Sequence, residues 1–433
     1  MEYPKVLIIC HNLYDVTNNI GKTLVSLMDG YPKDKIAQLY FRNDAPSFQY
    51  CSNYYCITDK SVLKSILSLG FKKAGNIVKK KGDLTITDAE NSFYKIGNHR
   101  HPSVSLIRDM LWSIPVWKSK DLKKWLQEVD PDVILFAPND YTLAYRIALY
   151  VQKVVRKPIL PFYMDDAFYW QCKTSLVDSF RRCQLRNYAN LIHRHSHRIL
   201  TICDYMSEEY ERLFSKPCHV FVNSVHVNEG ECKLTFNNPI VFSYLGNLHS
   251  NRWKSLTEIG QCLKKIEESN GIKCYLDIYS ASLLEERVTA AFSAVENIRF
   301  KGAVPSSAVH QIQMQSDILV HVESFDTRSA NSTRLSLSTK IPEYMSSGVP
   351  IFAYGPDNIA SMRYLKDNDL AQTCNNSLKL YEALQALLTN DEIRREKVLN
   401  GLNKVKEKHD IEKVSKAFQQ IIMNSLYNED SIS

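Results

Sequence analysis

The sequence of 433 residues lacks the apolar run of roughly 18 to 20 residues that a membrane-spanning helix needs. Its eleven cysteines never stand as Cys-x-x-Cys, so neither a disulfide framework nor a zinc knuckle is predicted. The N-terminus leads directly into a strand-like segment, Val6–Cys10, which leaves no room for a signal peptide. We therefore expect a cytoplasmic globular protein.

A chain of this length is too long for one hydrophobic core and suits two domains of about 200 residues each. Short apolar strands alternate with amphipathic stretches, a pattern typical of βαβ units and parallel sheets. The predicted strands are residues 5–10, 36–41, 54–58, 132–137, 159–164, 198–202, 240–245, 273–278, 298–301, 318–322 and 349–353. The sequence thus predicts an α/β protein with two Rossmann-like, doubly wound domains in tandem.

Polar residues at 228–231 indicate a domain boundary. We predict an N-terminal domain over residues 1–225 and a C-terminal domain over residues 226–410. The amphipathic segment 411–426 is expected to pack back on the N-terminal domain. In such an architecture the carboxyl ends of both sets of strands face a central cleft, where ligands bind.

The segment 317–350 combines a strand, a loop and a short helix. An apolar strand ends in the carboxylate of Glu323, and a loop rich in hydroxyl side chains follows it. The helix then ends at Gly348, which suits the left-handed conformation of a helix terminus, with Pro350 just beyond. This arrangement places the start of the helix at the carboxyl edge of the sheet.

The start of that helix has the chemistry of an anion site. Ser338 or Thr339 is the predicted N-cap, and free backbone N–H groups would lie beside Lys340. Glu343 stands one turn further on, where a carboxylate can accept hydrogen bonds from two vicinal hydroxyls of a ribose. An ordinary capped helix between two strands is the alternative interpretation.

Residues 338–350 resemble the donor-binding signature of GT-B glycosyltransferases, especially the retaining family-4 type. The resemblance implies a ribose contact for Glu343 and phosphate contacts for Ser338, Thr339 and Lys340. Many members carry two glutamates separated by seven residues, but the first position is Leu335 here. The nearest upstream glutamate is Glu323, a candidate catalytic residue in its place.

Residues 240–254 resemble a second part of the same family. A strand runs into a turn at Gly246 and Asn247, and Arg252 and Lys254 follow. In the family, a glycine turn with a downstream basic pair grips the donor diphosphate, which implies donor binding for these four residues. Two cations there would offset the charge on the leaving diphosphate without a metal. Surface charges at a helix start are the alternative.

Candidate residues in the N-terminal half are fewer. The Gly21-Lys22-Thr23 sequence is not a P-loop, because Val16 stands where the first glycine is required. The resemblance implies that Gly21 lets the backbone approach the donor phosphate. Asp165 and Asp166 follow a predicted strand. In the family, acidic residues there contact the donor sugar or the acceptor, so both are candidate catalytic residues, with helix N-capping as the alternative.

The positive charge is concentrated in residues 60–124, with fourteen Lys or Arg against five Asp or Glu. Apolar and aromatic residues are interleaved with these lysines, as in segments that dock on an anionic membrane. This predicts a peripheral membrane surface that suits a lipid-linked acceptor. A solvated positive face is the alternative, and nucleic-acid binding is not favoured, because it leaves the donor segment unexplained.

The histidines His193, His195 and His197 alternate along the chain. A strand would place all three on one face as a metal cluster, but the preceding residues favour a helix, on which they diverge. We therefore predict a basic, solvated helix end and no metal site.

The resemblance implies transfer of a sugar from a nucleoside diphosphate, UDP or GDP, to an acceptor hydroxyl with retention of configuration. It implies that the reaction needs no cofactor and no metal. It also implies that the acceptor is a carbohydrate or a lipid-linked molecule, used in polysaccharide or glycolipid synthesis. A catalytically silent partner subunit is an alternative, because Leu335 replaces a glutamate. A nucleotide-sugar epimerase on the same fold is another.

Overall fold

The structure, a computed structural model, describes residues 3–79, 102–166, 168, 176–227 and 232–426. It divides into two compact units. Unit 1 comprises residues 1–169, 173–222 and 412–433, and unit 2 comprises residues 170–172 and 223–411. Residues 228–231, where the sequence indicated a boundary, lie outside the described residues.

Unit 1 is built on an eight-stranded sheet with the order β4-β3-β2-β1-β5-β6-β7-β8. Its strands are β1 Val6–Cys10, β2 Ile36–Tyr40, β3 Asn53–Cys56, β4 Asn76–Val78, β5 Val133–Ala137, β6 Ile159–Tyr163, β7 Ile199–Thr201 and β8 Cys218–Val220. Only β4 runs antiparallel to its neighbour among these strands. The central strand β1 pairs with β2 and β5 and is buried along its whole length, which explains its unbroken apolar sequence.

The helices of unit 1 pack on that sheet through apolar faces. Up to residue 222 they are α1 Asn19–Leu27, α2 Asp59–Leu67, α3 Pro102–Ser113, α4 Lys120–Val129, α5 Thr142–Val155, α6 Leu176–His193 and α7 Asp204–Phe214. In α4, the Ser119 hydroxyl accepts the N–H of Leu122 as an N-cap. The helix buries Leu122, Leu126 and Val129 at helical spacing, which gives it one core-facing side.

Unit 2 contains six parallel strands in the order β11-β10-β9-β12-β13-β14. They are β9 Ile240–Leu245, β10 Cys274–Tyr279, β11 Ile298–Gly302, β12 Ile318–Val322, β13 Ile351–Tyr354 and β14 Gln372–Cys374. The helices are α8 Arg252–Asn270, α9 Glu286–Ser293, α10 Ser306–Gln315, α11 Thr327–Thr333, α12 Lys340–Ser346, α13 Ala360–Asp367, α14 Leu380–Thr389 and α15 Asp391–Lys404. This is the doubly wound order that reverses between β9 and β12. The predicted fold class is therefore confirmed.

A buried carboxylate ties β9 to β12. Asp317 precedes β12 and is fully buried. One of its oxygens accepts the backbone N–H of Val241 at 2.8 Å. The other accepts the side-chain amide of Asn237 at 2.9 Å and lies 3.1 Å from the Lys233 ammonium. The two strands that reverse the winding are thus held together at their amino ends.

The last helix, α16 Ile411–Asn424, packs within unit 1. The ring of Phe418 lies 6.0 Å from that of Phe162 and 5.0 Å from that of Phe221. Within the described part of the chain, no helix is long and apolar enough to cross a membrane.

The histidine segment differs from its prediction. His193 ends α6 as expected for a helix, but it is only 4% exposed, and the Tyr163 hydroxyl lies 2.9 Å from its Nε2. Burial lowers the pKa of His193 to about 3, so the ring is neutral. The prediction of a solvated helix end is therefore wrong for His193, although His195 and His197 are exposed. Across the described residues, no group of three or more His, Cys, Asp or Glu side chains is placed to hold a metal.

Candidate functional site

Two loops leave the sheet of unit 2 at the reversal point. Strands β9 and β12 are parallel neighbours, with Phe242 opposite Ile318. Their carboxyl ends therefore lie at one edge, where ligands bind in doubly wound sheets. The first loop spans residues 246–251 and leads into α8, and the second follows β12 toward α12. All predicted site residues of the C-terminal half lie on these two segments or at the helix starts that follow them.

The first loop is a tight turn. The N–H of Gly246 donates to the carbonyl of Tyr279 at 3.0 Å. A Cβ at Gly246 would lie 2.7 Å from the Tyr244 hydroxyl oxygen, and that hydroxyl donates to the carbonyl of Asn247. Any side chain at position 246 would therefore displace the ring of Tyr244. The backbones of Ser250 and Asn251 are left-handed, both with φ of 59°, and turn the chain into α8.

Arg252 begins α8 and contacts both loops. Its Nη2 donates to Glu323 Oε2 at 2.9 Å, and its Nη1 donates to Asn247 Oδ1 at 3.1 Å. The side chains of Arg252 and Glu323 are 18% and 4% exposed. The structure therefore brings three predicted site residues into one hydrogen-bonded group, with the guanidinium held at both terminal nitrogens.

The backbone of Glu323 is fixed on three sides. Its N–H donates to the carbonyl of Tyr354 at 2.9 Å, and its carbonyl accepts the Ser255 hydroxyl at 2.9 Å. A Cβ at Gly355 would lie 2.8 Å from the Cβ of Glu323, so only glycine fits beside it. Burial raises the pKa of Glu323, and the charges of Arg252 and Lys340 partly offset this.

His321 is a site residue that the sequence analysis missed. Its Nε2 lies 3.5 Å from Glu323 Oε1 and has no hydrogen-bond partner within the described structure. Burial, followed by the charges of Arg252 and Lys340, lowers the pKa of His321 to about 3. The ring is therefore neutral at physiological pH. The available signal was a histidine inside the otherwise apolar strand that leads to Glu323.

Lys254 is placed differently from Arg252. It is exposed in the first turn of α8, with its ammonium 5.7 Å from the centre of the Trp253 ring. Its charge helps to lower the pKa of Asp326, after the hydrogen bonds of that carboxylate to Ser329. The predicted basic pair thus consists of one partly buried cation, Arg252, and one exposed cation, Lys254.

The start of α12 lies at the predicted position. Thr339 is the N-cap residue but its side chain makes no capping bond, and the Ser338 hydroxyl accepts the N–H of Lys340 at 3.4 Å instead. The N–H of Ser338 donates to the Ser361 hydroxyl at 3.0 Å. The helix is fixed beside β9 by Tyr344, whose hydroxyl accepts the N–H of Leu245 at 3.2 Å.

Glu343 is in the first turn of α12 and is partly exposed. Its Oε2 lies 3.5 Å from the side-chain nitrogen of Gln313, which is buried. Leu335, the position of the family's first glutamate, is 3% exposed and belongs to the core. A carboxylate at position 335 would be buried in this structure.

The candidates in unit 1 have local partners. A Cβ at Gly21 would lie 2.3 Å from the carbonyl oxygen of Asp15, so the loop's own backbone requires this glycine. Asp166 accepts the N–H of Phe168 at 2.9 Å and the Tyr210 hydroxyl at 3.3 Å. Asp165 beside it is exposed. The structure thus gives Gly21 a close backbone contact and Asp166 local hydrogen bonds, and their ligand contacts stay predictions.

Comparison with known proteins gives a family match for part of the sequence and structural matches for the fold. Residues 260–420 match the family model described as glycosyl transferase-like. A comparison with curated protein sequences gives no match.

Solved structures match over nearly the whole chain. Sucrose-phosphate synthase from Thermosynechococcus elongatus is 12% identical, with 98% of this chain and 99% of that chain covered and a TM-score of 0.63. HepE from Anabaena, solved with UDP and glucose, is 11% identical over 98% and 100%, with a TM-score of 0.64. The UDP-forming trehalose-phosphate synthase from Burkholderia vietnamiensis is 10% identical over 98% and 100%, with a TM-score of 0.59. At these identities the structural likeness shows the fold alone.

The order of the strands in unit 2, the two loops at its reversal point and the family match all agree with the resemblance found in residues 338–350. Residues 260–420 therefore match a glycosyl transferase-like family model, and the chain is similar in fold to these three solved structures.

Proposed function

We propose that unit 2 binds a nucleoside diphosphate sugar, with UDP or GDP as the nucleotide, and that the chain transfers the sugar to an acceptor hydroxyl with retention. The observation that carries this proposal is the group formed by Arg252, Asn247 and Glu323 where β9 and β12 end. Support also comes from the Anabaena HepE structures, whose fold is similar and which contain UDP or UDP-glucose.

Arg252 is the proposed diphosphate ligand. An arginine has five N–H groups, and its contacts with Asn247 and Glu323 use one on each terminal nitrogen. The remaining donors suit phosphate oxygens, which guanidinium groups bind with directed, charge-assisted bonds. Lys340, Ser338 and Thr339 are proposed to add contacts at the start of α12, and Gly246 to let the backbone approach. Lys254 would act at longer range because it is exposed.

Glu343 is the proposed ribose ligand. Its carboxylate is partly exposed in the first turn of α12, the helix that Tyr344 fixes beside β9. Two vicinal hydroxyls can donate to the two oxygens of one carboxylate, and each such charged hydrogen bond contributes roughly 1.5–3 kcal/mol.

The proposed reaction needs no enzymic nucleophile. The bond from the anomeric carbon to the phosphate oxygen breaks, and the acceptor oxygen bonds that carbon on the face the diphosphate leaves. The acceptor proton passes to the departing phosphate, so the nucleoside diphosphate itself is the base. Arg252 and the other cations stabilise the charge on that leaving group. Asp165 and Asp166 are proposed to orient the acceptor, a carbohydrate or lipid-linked molecule.

A nucleotide panel tests the proposed function. UDP or GDP should raise the melting temperature of the chain more than ADP or CMP, because a ligand that binds only the native state stabilises it. Glu343→Ala should remove that shift, whereas Glu396→Ala, an exposed carboxylate on α15, should keep it. Equal shifts for wild type and Glu343→Ala would contradict the ribose assignment.

Nucleotide release separates the proposed function from its alternatives. A transferase releases nucleoside diphosphate from its sugar donor faster when an acceptor is present. An epimerase converts the sugar without an acceptor, and a silent partner subunit releases nothing. Acceptor-dependent release is the expected result.

A specific surface of unit 1 supports the proposed membrane contact. Leu67, at the end of α2, is 76% exposed, and Leu69 and Phe71 just beyond are each 90% exposed. Lys72 and Lys73 beside them are also exposed. Large apolar side chains next to lysines suit an anionic bilayer surface. Lys80 and Lys81, part of the predicted basic stretch, lie outside the described residues.

Vesicle sedimentation tests this contact. The chain should bind vesicles of phosphatidylcholine that contain phosphatidylglycerol, and salt should weaken the binding. Leu69→Ser with Phe71→Ser should reduce it strongly. Leu283→Ser with Leu378→Ser in unit 2 is the matched control, because those leucines are 89% and 91% exposed. Equal loss in both double variants would refute a specific surface in unit 1.

A further inference from the structure

We propose that Glu323 is the internal counter-ion of Arg252, a positioning residue that competes with the donor diphosphate for the guanidinium and weakens the binding of nucleoside diphosphate. This inference rests on the proposed diphosphate contact of Arg252. It assigns Glu323 a role at the phosphate end of the donor, whereas the sequence suggested that it replaces a glutamate that faces the sugar.

The geometry holds the two charges together. Glu323 Oε2 accepts from Arg252 Nη2 at 2.9 Å, and both side chains are largely buried. The backbone of Glu323 is fixed by bonds to Tyr354 and Ser255. Glu323 therefore presents its carboxylate to the guanidinium from a backbone that is held in place.

Arg252 forms a salt bridge with Glu323 at 2.9 Å and is the cation with the largest effect on the pKa of that carboxylate. The other carboxylate oxygen faces His321 Nε2 at 3.5 Å, and that ring is neutral. Lys340 also acts on the carboxylate, but its influence on the pKa of Glu323 ranks below that of Arg252. The charge of Glu323 is therefore compensated chiefly by the residue that is proposed to hold the diphosphate.

The negative charge of Glu323 opposes the binding of a diphosphate at Arg252. A diphosphate on Arg252 would share its guanidinium with Glu323, and the two anions would repel each other in a site of reduced dielectric constant. Asn247, the second partner of Arg252, is neutral and orients the guanidinium without this repulsion. The structure thus separates an orienting partner from a competing one.

The Glu323→Gln variant tests the inference, because it keeps the shape of the side chain and removes its charge. Isothermal titration with UDP should show binding that is about three- to tenfold tighter than in wild type. UDP should also become a stronger product inhibitor by a similar factor. A purely structural role would weaken binding or lower stability and would not raise the affinity.

Asp326→Asn is the matched control. It removes the same charge from an exposed carboxylate that interacts with Ser329, Lys254 and Arg328 and has asparagine as an equivalent N-cap. UDP affinity should change less than about twofold. In an Arg252→Gln background, Glu323→Gln should also change UDP affinity less than about twofold, because the shared guanidinium is gone.

Unchanged or weaker UDP binding by Glu323→Gln overturns the inference, as does an equal gain in the Arg252→Gln background. Loss of UDP-glucose affinity at constant UDP affinity would place Glu323 on the sugar instead. If Glu323→Gln does not fold, Glu323→Asp serves, because it withdraws the carboxylate and should give a smaller gain of the same sign. The two failures are distinguishable. If the unmodified chain binds neither UDP nor GDP, the proposed function itself is overturned, whatever the variants do.

Discussion

The two units share an α/β sheet architecture but differ in how their candidate residues are held. In unit 2, Arg252 at the start of α8 and Glu323 after β12 come from different segments and meet where neighbouring strands end. In unit 1, Asp166 and Gly21 are satisfied by residues of their own segments, together with Tyr210. The family match at 260–420 falls almost wholly within unit 2. The sequence thus carries a recognisable family signature in unit 2, and the sequence of unit 1 offers none of comparable strength.

The largest expected effect concerns the buried carboxylate that ties β9 to β12. Asp317→Ala would remove the fully buried partner of the Lys233 ammonium and the acceptor of the Val241 N–H, so the free energy of unfolding should fall by roughly 3–5 kcal/mol. Asp357→Ala, which breaks an exposed pair with Lys366, should cost less than about 1 kcal/mol. Chemical denaturation measures both. If both variants lost the same free energy of unfolding, the contacts of Asp317 between β9 and β12 would stabilise unit 2 no more than an exposed ion pair does.

The second effect separates the two cations of the donor site. Arg252→Ala should weaken UDP binding by about ten- to a hundredfold, because a charged hydrogen bond contributes roughly 1.5–3 kcal/mol. Lys254→Ala should weaken it by only about two- to threefold, because an exposed charge is screened. Titration calorimetry with UDP gives both values. A larger loss of UDP affinity in Lys254→Ala than in Arg252→Ala would mean that the guanidinium of Arg252 holds the two loops and does not bind the diphosphate.

The third effect is the loss of stability at acid pH that a buried histidine causes in each unit. His409 in unit 2 lies between the Tyr364 hydroxyl and the carbonyl of Asn223, and burial lowers its pKa to about 4. The unfolded chain therefore binds the proton more readily, so stability falls as the pH drops from about 6.5 toward 4. His193 in unit 1 behaves in the same way. Between pH 7 and 5.5, each should account for about 1 kcal/mol of lost stability.

Thermal unfolding at the two pH values checks this prediction. His409→Gln and His193→Gln should each reduce the loss of stability on acidification, and His310→Gln, an exposed control, should leave it as in wild type. If both buried variants lose as much stability as wild type, other groups control the acid response.

The smallest expected effect tests whether nucleotide binding belongs to unit 2 alone. Asp166→Asn keeps acceptors for the N–H of Phe168 and the Tyr210 hydroxyl. UDP affinity should change less than about twofold, because the proposed nucleotide contacts belong to unit 2. A tenfold loss in calorimetry would place Asp166 in nucleotide binding and erase the contrast between the units.

The sequence predicted the elements whose patterns are local. Buried strands such as β1 and β12 appear as apolar runs, and the start of α12 appears at Thr339 with a serine and a lysine beside it. The strands β4, β8 and β14, each of three residues, were missed, whereas the equally short β7 lies within the predicted apolar segment 198–202. Strand β13 begins at Ile351, two residues later than predicted.

The sequence could not predict contacts between distant segments. Arg252 and Glu323 are 71 positions apart, and nothing in either segment indicates their pairing. The burial of His193 depends on Tyr163 and Phe214, which come from another strand and another helix. Such contacts depend on how elements pack, whereas the motifs around Glu343 and Gly246 depend on local sequence.

The central claim is that the carboxyl ends of β9 and β12 bind the nucleotide of the donor. A crystal structure of the chain with UDP tests it most directly. We expect the ribose hydroxyls within hydrogen-bond distance of the Glu343 carboxylate and a phosphate oxygen on the guanidinium of Arg252. UDP bound elsewhere, or a ribose that does not reach Glu343, would contradict the account.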